Sequence, residues 1–331
     1  MADVDFTSLE LTTVQLAPDF TEALVQTKEE REEDLLALTN VVGVGLGFKE
    51  TGGVVTTERC IQVLVDQKID LDLLPTSARV PKTLNRRPTD VVAVGTLFAG
   101  AGWPATGTAQ SLKDRRRPAM GGDSVGHFAI TAGTAGSGCY DRSIDPGIPP
   151  RYYILSNNHV LANSNDARIG DAVYQPGPID GGTSADQIGT LHHYVPIMFD
   201  GSDNLVDAAV AEVPFHDFTR EIYYLGYART SYAPVGVGDV VKKTGRTTNF
   251  TTGRVTSVNA TVNVNYGSGR VGKFVKQIVT TSMSAGGDSG SLVLDVDDNA
   301  VGLLYAGSSA VTIINNIQFV QALLGVRLAE D

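Results

Sequence analysis

A serine stands among glycines in the stretch SAGGDSGSLVLDV, residues 284–296, where its hydroxyl could serve as a nucleophile. Gly286, Gly287 and Gly290 surround Ser289, and by themselves they indicate only a tight turn. A serine hydroxyl attacks carbonyl groups slowly at neutral pH, so it needs a base that takes its proton and N–H donors that hold the oxyanion. The rest of the chain must therefore supply a histidine and a carboxylate.

Among the five histidines, His159 has the most suitable setting for the base. In YYILSNNHVLA it follows an apolar run that ends in the small polar residues Ser-Asn-Asn, a pattern typical of the rim of a β-barrel. Adjacent residues of a strand point to opposite faces, so the neighbours His192 and His193 fit a surface strand better than a site. Surface or packing roles are expected for four histidines: His127, His192, His193 and His216.

Asp207 is the best candidate for the carboxylate that orients the base. Most acids of the chain lie in polar runs, whereas Asp207 enters the apolar strand NLVDAAVAEV and is followed by alanine. Asp203 is the local competitor, but it lies in the loop DGSDN and fits a role in a turn.

The three residues follow the order His159, Asp207, Ser289, which is the order of chymotrypsin-like peptidases and not that of subtilisins or α/β-hydrolases. Through SNNHV, VDAAVAEV and GGDSGSLV, residues 124–331 resemble the trypsin/chymotrypsin-fold serine peptidases, in particular their bacterial, disulfide-poor branch. The whole chain is similar to the bacterial relatives of plant narrow-leaf type trypsin-like proteases.

This resemblance implies a role for each residue of the motif. His159 would be the general base, taking the proton of Ser289 and later delivering it to the leaving amine. Asp207 would fix the tautomer of the imidazole and stabilise its charged form. The backbone N–H groups of Gly287 and Ser289 would form the oxyanion hole.

The resemblance also implies that Asp288 is buried behind the nucleophile and needs a cation, because an unpaired buried carboxylate is very costly. The segment 245–248, Gly-Arg-Thr-Thr, resembles the GRTTG segment of bacterial relatives, in which the arginine pairs with this carboxylate. We therefore expect an Arg246–Asp288 ion pair that forms without processing of the N-terminus. The alternative is that Arg246 is an exposed turn residue.

Two departures from the family pattern concern the substrate. Tyr305, Ala306 and Gly307 stand where the family has Ser-Trp-Gly, and their backbone can still pair with an extended peptide as an added strand. Met283 stands six residues before the serine, where trypsin has an acid. It argues against Arg or Lys specificity and for an apolar or uncharged side chain in the pocket.

The pattern of the whole chain predicts a mostly β fold, with two antiparallel β-barrels of chymotrypsin type, a C-terminal helix and a small α+β domain in front. From residue 127 onward short alternating runs recur at the spacing typical of barrels, and only IQFVQALLGV has helical spacing. The expected division is an arm over 1–20, the α+β domain over 21–100, a linker over 101–122 and the peptidase domain over 123–331.

The run VVGVGLGFKE in the N-terminal part resembles a nucleotide-binding loop at first sight. A dinucleotide fingerprint would need a further glycine where Phe48 or Glu50 stands, so the strict period of two favours a strand. The acidic segment DVDDNA, residues 295–300, similarly begins like a calcium loop but lacks the required glycine and glutamate, which favours a hairpin turn. No cluster of His, Cys or acids has metal-ligand spacing, and no cofactor is expected.

The composition narrows the partners and the compartment. A net charge of −11 disfavours nucleic acid or an anionic membrane as the main partner. The N-terminal MADVDFTSLE does not resemble a secretory signal. Only Cys60 and Cys139 occur, which favours a reducing, cytoplasmic setting over a disulfide-rich secreted one.

The leading hypothesis is a serine endopeptidase that acts on protein or peptide substrates, with an N-terminal domain that regulates it or supports a homo-oligomer. One alternative is a peptide-binding or scaffolding module that keeps the peptidase fold with little turnover. A third hypothesis is an esterase or other acyl transferase with the same triad.

Overall fold

The computed structural model describes residues 20–99, 111–142 and 151–329. Most of the expected arm and residues 101–110 of the expected linker lie outside the described residues. The three described helices are α1 (Glu22–Leu36), α2 (Asn158–Leu161) and α3 (Ile317–Leu324).

The described strands fall into three groups along the chain. The first group is β1 (Val41–Thr51), β2 (Val54–Val65), β3 (Thr83–Leu84), β4 (Arg87–Ala93) and β5 (Phe98–Ala99). The second is β6 (Ala119–Gly121), β7 (Ser124–His127), β8 (Gly133–Thr134), β9 (Ser137–Asp141), β10 (Tyr152–Ser156), β11 (Ala172–Tyr174), β12 (Gln187–Tyr194), β13 (Asp203–Asn204), β14 (Ala209–Glu212) and β15 (Phe218–Ile222). The third is β16 (Val240–Gly245), β17 (Asn249–Asn265), β18 (Val271–Thr281), β19 (Leu292–Asp295), β20 (Ala300–Gly307), β21 (Val311–Asn316) and β22 (Val326–Arg327).

The two expected barrels are present. The first is built on a sheet of order β22-β9-β10-β14-β12-β11-β7-β8, whose strand pairs are antiparallel. The second closes on itself, because β16 pairs with β17, β17 with β18, β18 with β21, β21 with β20, β20 with β19, and β19 with β16. In this closed ring each of the six strands has a neighbouring strand on both sides.

Two smaller expectations from the sequence are also confirmed. The C-terminal helical pattern forms α3, whose side chains Ile317, Phe319 and Val320 are buried. The acidic segment DVDDNA connects the antiparallel pair β19 and β20, as a hairpin turn does.

The N-terminal elements are an α-helix and strands, as expected, but their sheet is not separate from the second barrel. Strand β1 pairs antiparallel with β17, with Gly43 opposite Val262 and Gly47 opposite Ser257. A Cβ at Gly45 would collide with the Ser257 side chain, so the alternating glycines of β1 allow it to approach β17 closely. The strands of 41–65 thus extend a sheet of the peptidase part instead of forming their own layer.

A shared hydrophobic core and a buried polar contact hold this N-terminal part against the barrel. Leu24 of α1 and Leu46 of β1 lie in one core cluster with Val255 of β17. Lys28, also on α1, is 2% exposed; it forms an ion pair with Glu32 and donates to Thr261 Oγ1 over 3.0 Å. Burial lowers the pKa of Lys28, and the charge of Glu32 opposes that shift.

Candidate active site

The nucleophile candidate lies in a tight turn between β18 and β19. Gly287 and Gly290, on either side of Ser289, both have a φ of 97°, in the region that favours glycine. A Cβ at Gly287 would also collide with the side chains of Arg246 and Thr247. Glycine is therefore required at position 287 by the backbone angle and by the space available, and the turn holds Ser289 in a fixed place.

The imidazole of His159 is held by Asp207. Nδ1 of His159 lies 2.5 Å from Oδ2 of Asp207, and the backbone N–H of His159 donates to Oδ1 over 3.1 Å. His159 is on α2, directly after β10, and Asp207 lies just before β14, which pairs with β10. Asp207 is completely buried, so its charge acts on the imidazole with little solvent screening.

Further contacts fix the orientation of Asp207 and include a residue that the sequence did not indicate. The hydroxyl of Tyr266 donates to Asp207 Oδ2 over 2.8 Å, and the Asp207 N–H donates to Asn315 Oδ1 over 3.0 Å. Burial and the neighbouring carboxylate raise the pKa of Tyr266 well above its usual range, which keeps the phenol protonated as a donor. No signal in the loop sequence around Tyr266 marks this role, because it depends on a contact between residues far apart in the chain.

The chain around β8 joins the serine turn to the helix that carries His159. The N–H of Thr134 donates to the carbonyl of Ser289 over 2.7 Å. A Cβ placed on the neighbouring Gly133 would meet both the Val160 side chain and the Ser289 carbonyl, so these two residues flank the same point. The structure therefore packs Ser289 of the second barrel and Val160, the residue after His159, of the first barrel against the same glycine.

The Ser289 hydroxyl is turned toward the adjacent strand. Its Oγ donates to the carbonyl of Tyr305 over 3.3 Å, and Nε2 of His159 is buried without a hydrogen-bond partner among the described residues. A rotation about χ1 of Ser289 would break the hydrogen bond to the Tyr305 carbonyl, and such rotations between staggered wells are ordinary. The Nε2 atom is thus available to a hydroxyl or to a substrate.

Two backbone amides in the turn are available as donors. Within the described part of the chain, the N–H groups of Gly287 and Ser289 have no internal acceptor, whereas the intervening N–H of Asp288 donates to Ala285 over 3.0 Å. The carbonyl of Gly287 is fixed by Thr134 Oγ1 over 2.8 Å, which sets the plane of the peptide. Free donors of this kind stabilise an anion more strongly than a neutral carbonyl.

The expected Arg246–Asp288 ion pair is wrong. The cation at Asp288 is Lys243, whose Nζ lies 3.2 Å from Oδ2, and both side chains are completely buried. Side chains alternate along β16, so Lys243 and Gly245 face Asp288 and Arg246 points to the other side. The same alternation places Lys243 on the face of the buried Val241, which is the sequence signal that could have identified it.

Asp288 accepts hydrogen bonds from a full set of donors besides Lys243. Oδ1 accepts from the N–H groups of Thr247 and Thr248 over 2.9 and 3.1 Å. Oδ2 accepts from Thr248 Oγ1 over 2.5 Å and from the N–H of Ala285 over 3.0 Å. Burial lowers the pKa of Lys243, while the carboxylate favours its charged form. A cation within the chain therefore completes the turn.

Arg246 instead forms a bidentate pair with Asp180 of the first barrel. Nε and Nη2 donate to the two carboxylate oxygens over 2.7 and 2.5 Å. Asp180 also accepts from Ser124 Oγ over 2.6 Å. The planar guanidinium matches two carboxylate oxygens at once, so this arginine joins the barrels beside Gly287 instead of neutralising Asp288.

The residues expected to contact substrate are all buried. Met283 is 4% exposed and belongs to the core cluster shared with the N-terminal part. Tyr305, Ala306 and Gly307 lie at the end of β20, and the Tyr305 hydroxyl has no hydrogen-bond partner among the described residues. The edge of β20 at Ala306 and Gly307 is paired with the chain's own strand β5.

The other four histidines either pair with acids outside the candidate triad or are exposed. His127 pairs with Asp171 over 3.1 Å, and His216 is 83% exposed. Within residues 20–99, 111–142 and 151–329 no group of three His, Cys, Asp or Glu side chains has the arrangement of a metal site. None of the helices in these ranges has the length and hydropathy required to cross a membrane.

Comparison with known proteins gives partial matches. No model of a known protein family matches the chain. Glutamyl endopeptidase 2 of Streptomyces griseus is 41% identical over 88 residues, which is 25% of this chain and 44% of that protein. Serine protease 1 of Streptomyces fradiae is 39% identical over 97 residues, which is 27% of this chain and 26% of that protein. The chain thus spans less than half the length of these curated relatives.

Among solved structures, protease A of Thermobifida fusca aligns with 64% of this chain and 98% of its own, at 19% identity and a TM-score of 0.45. These relatives are bacterial serine proteases, and this chain has the mostly β fold of two barrels and a C-terminal helix that was expected of the chymotrypsin type.

Proposed function

We propose that this protein is a serine endopeptidase that uses Ser289, His159 and Asp207. The observation that carries the proposal is the His159–Asp207 contact, with Nε2 unpartnered among the described residues. Gly133 packs against both Val160, the residue after His159, and the carbonyl of Ser289, the serine flanked by two free amides. A base, an orienting carboxylate and oxyanion donors are the three components that acyl transfer to serine requires.

The geometry supports the following sequence of steps. Ser289 Oγ leaves the Tyr305 carbonyl and transfers its proton to His159 Nε2 as it attacks the substrate carbonyl. The N–H groups of Gly287 and Ser289 bind the oxyanion of the tetrahedral intermediate. His159 then gives the proton to the leaving amine, and the acyl-enzyme is hydrolysed by a water that the same imidazole deprotonates.

Asp207 and Tyr266 support the imidazole in this mechanism. The buried carboxylate stabilises the imidazolium that forms when His159 holds the proton. The Tyr266 hydroxyl shares the same carboxylate oxygen, which restricts its rotation and keeps it aligned with Nδ1. Tyr266 is therefore a positioning residue that acts through Asp207.

We propose that the pocket prefers an apolar or uncharged side chain, because the apolar Met283 stands where trypsin has its acid. One relative is named a glutamyl endopeptidase, and a glutamate side chain in the pocket would need a cation. The two buried or nearly buried cations beside the turn, Lys243 and Arg246, are already bound to Asp288 and Asp180. This occupancy favours an uncharged side chain over glutamate.

We also propose a reducing compartment, such as the cytoplasm, as the working location. Cys60 and Cys139 are both free and buried, and burial raises the pKa of the Cys60 thiol to about 12. Protonated, buried thiols are stable where disulfides are not formed. Recovery of the native protein from the culture medium instead of the cell lysate would overturn this proposal.

A cleavage profile on a peptide library tests the proposed function. The purified chain should cut peptides after a defined class of residue, and Ser289→Ala should be slower by at least about 10⁴-fold. Peptide binding without cleavage by either form would instead favour the peptide-binding module. Cleavage of the ester of a single acylated amino acid but not of the corresponding amide would favour the acyl transferase.

A further inference from the structure

Strand β5 covers the edge of β20 that lies nearest the nucleophile. Ala99 is opposite Ala306 and Phe98 is opposite Gly307, in antiparallel pairing. The other edge of β20 is already taken by β21 at the same positions. An extended peptide that needs to add a strand to β20 therefore has no other edge to use.

This covered edge leads directly to Ser289. The Ser289 hydroxyl donates to the carbonyl of Tyr305, and the N–H of Gly290 donates to the carbonyl of Leu304 over 2.8 Å. The backbone of β20 that contacts the serine thus continues, one residue later, into the part that pairs with β5.

The direction of β5 is that of a substrate. Because the pairing is antiparallel, Phe98 lies opposite Gly307 and the next residue, Ala99, lies opposite Ala306. The chain of β5 therefore runs toward Tyr305 and Ser289. The part of a peptide substrate on the N-terminal side of its scissile carbonyl must also run toward the nucleophile. β5 therefore takes both the place and the direction of that part of a substrate.

Several contacts hold β5 and the residues before it in this position. Leu97 is 1% exposed, in a cluster with Tyr305 and Ala306, and its carbonyl accepts from the N–H of Asn265 over 3.0 Å. The preceding buried Val94 accepts a hydrogen bond at its carbonyl from the side chain of Ser308, one residue beyond β20.

We propose that β5 is an autoinhibitory strand: it blocks the pairing of extended peptides with Ala306 and Gly307 and leaves the reactive groups at Ser289 intact. This inference rests on the proposed function. Substrates that need no pairing with β20 escape the inhibition, whereas substrates that gain rate from pairing lose that gain.

Two esters that differ only in length separate these effects. The short probe is the 4-nitrophenyl ester of acetyl-leucine, and the long probe adds two alanines before the leucine. Wild type should hydrolyse both with similar kcat/KM. In Phe98→Pro/Ala99→Pro, kcat/KM should rise at least about tenfold for the long ester and stay within about twofold for the short one, because proline cannot donate to a sheet.

A second variant and a control guard against misfolding. Leu97→Ala keeps the backbone of β5 and loosens its anchor, so it should shift the long-to-short ratio in the same direction. Lys68→Pro, at an exposed loop position between β2 and β3, should leave the ratio unchanged. Circular dichroism and thermal unfolding establish which variants are folded.

Each outcome bears on one of the two claims. A wild type that already prefers the long ester by about tenfold or more, or folded variants with the wild-type ratio, would overturn the inhibition alone. Failure of wild type and every folded variant to hydrolyse even the short ester above the Ser289→Ala background would overturn the proposed function instead.

Discussion

At the residue scale, the candidate site depends on a few side chains that share atoms. Oδ2 of Asp207 is contacted by both His159 Nδ1 and the Tyr266 hydroxyl, and the Ser289 turn depends on one buried carboxylate, Asp288. Each of these contacts can be removed while the shape of the side chain is largely kept, so each can be tested alone.

Replacing Tyr266 with Phe removes one hydrogen bond from the Asp207 carboxylate. We expect kcat/KM to fall about tenfold, the value of one hydrogen bond to a charged group. The freed carboxylate favours the imidazolium more strongly, so the acid limb of the pH–rate profile should move to higher pH. Tyr227→Phe, at a side chain that is 55% exposed, is the matched control and should behave as wild type. A Tyr266→Phe profile with the wild-type acid limb would show that Tyr266 is only structural.

Replacing Lys243 with Met leaves Asp288 without its cation in a buried setting. We expect a loss of about 3 to 5 kcal/mol in the free energy of unfolding and a strong loss of kcat, because the turn that carries Ser289 loses its support. Lys242→Met is the matched control: the neighbouring Lys242 pairs with Asp298 over 2.7 Å near the surface. Urea unfolding and ester hydrolysis give the two readouts.

The double variant Lys243→Met/Asp288→Asn completes this test. Because no charge is then left unpaired, stability should recover by most of the loss seen in the single variant. A Lys243→Met protein as stable and active as Lys242→Met would contradict the assigned ion pair.

At the element scale, the segment between β6 and β7 contains a buried carboxyl group whose pKa is raised. Asp123 is completely buried and pairs with Arg116 over 3.1 Å, and desolvation raises its pKa to about 6. Its folded pKa lies above the unfolded value, so between roughly pH 4 and pH 6 the folded state binds more protons and stability falls as the pH rises.

The isosteric change Asp123→Asn removes this dependence. We expect wild type to lose about 2 to 3 kcal/mol more than Asp123→Asn between pH 4 and pH 6, since each tenfold difference in proton affinity between the folded and unfolded states corresponds to about 1.4 kcal/mol. Urea unfolding curves of both proteins across this range measure the difference. Two parallel stability–pH curves would show that Asp123 titrates normally.

Elements that depend on a local sequence pattern could be predicted, and contacts between distant residues could not. The triad order, the strands and α3 could be predicted because each depends on a local pattern. The partner of Asp288 could not, because Lys243 and Arg246 are three residues apart and only the exact end of β16 decides which one faces Asp288. Tyr266 and β5 were missed because their partners lie far away in the chain.

At the scale of the whole molecule, the N-terminal part and the second barrel form one packed unit. The expected separation near residue 100 rested on a shift in composition, and composition does not reveal that β1 pairs with β17. Long-range strand pairing of this kind has no local signature, since any alternating strand can serve as an edge or a central strand.

Native-state hydrogen exchange tests this unity. The amides of β1 and β17 share one sheet, so they should exchange through the same opening, with equal free energies and equal dependence on urea. The exposed loop around Lys68 serves as an internal reference for fast exchange. Exchange of β1 at a much lower free energy than β17 would show that the N-terminal part opens independently.

The most direct test of the proposed nucleophile is the reaction of the chain with a small fluorophosphonate, followed by intact mass and peptide mapping. We predict one covalent adduct on Ser289, formed at a rate that falls by at least about 10³-fold in His159→Ala. Absence of an adduct on the folded protein, or an adduct on a different residue, would contradict the assignment of Ser289.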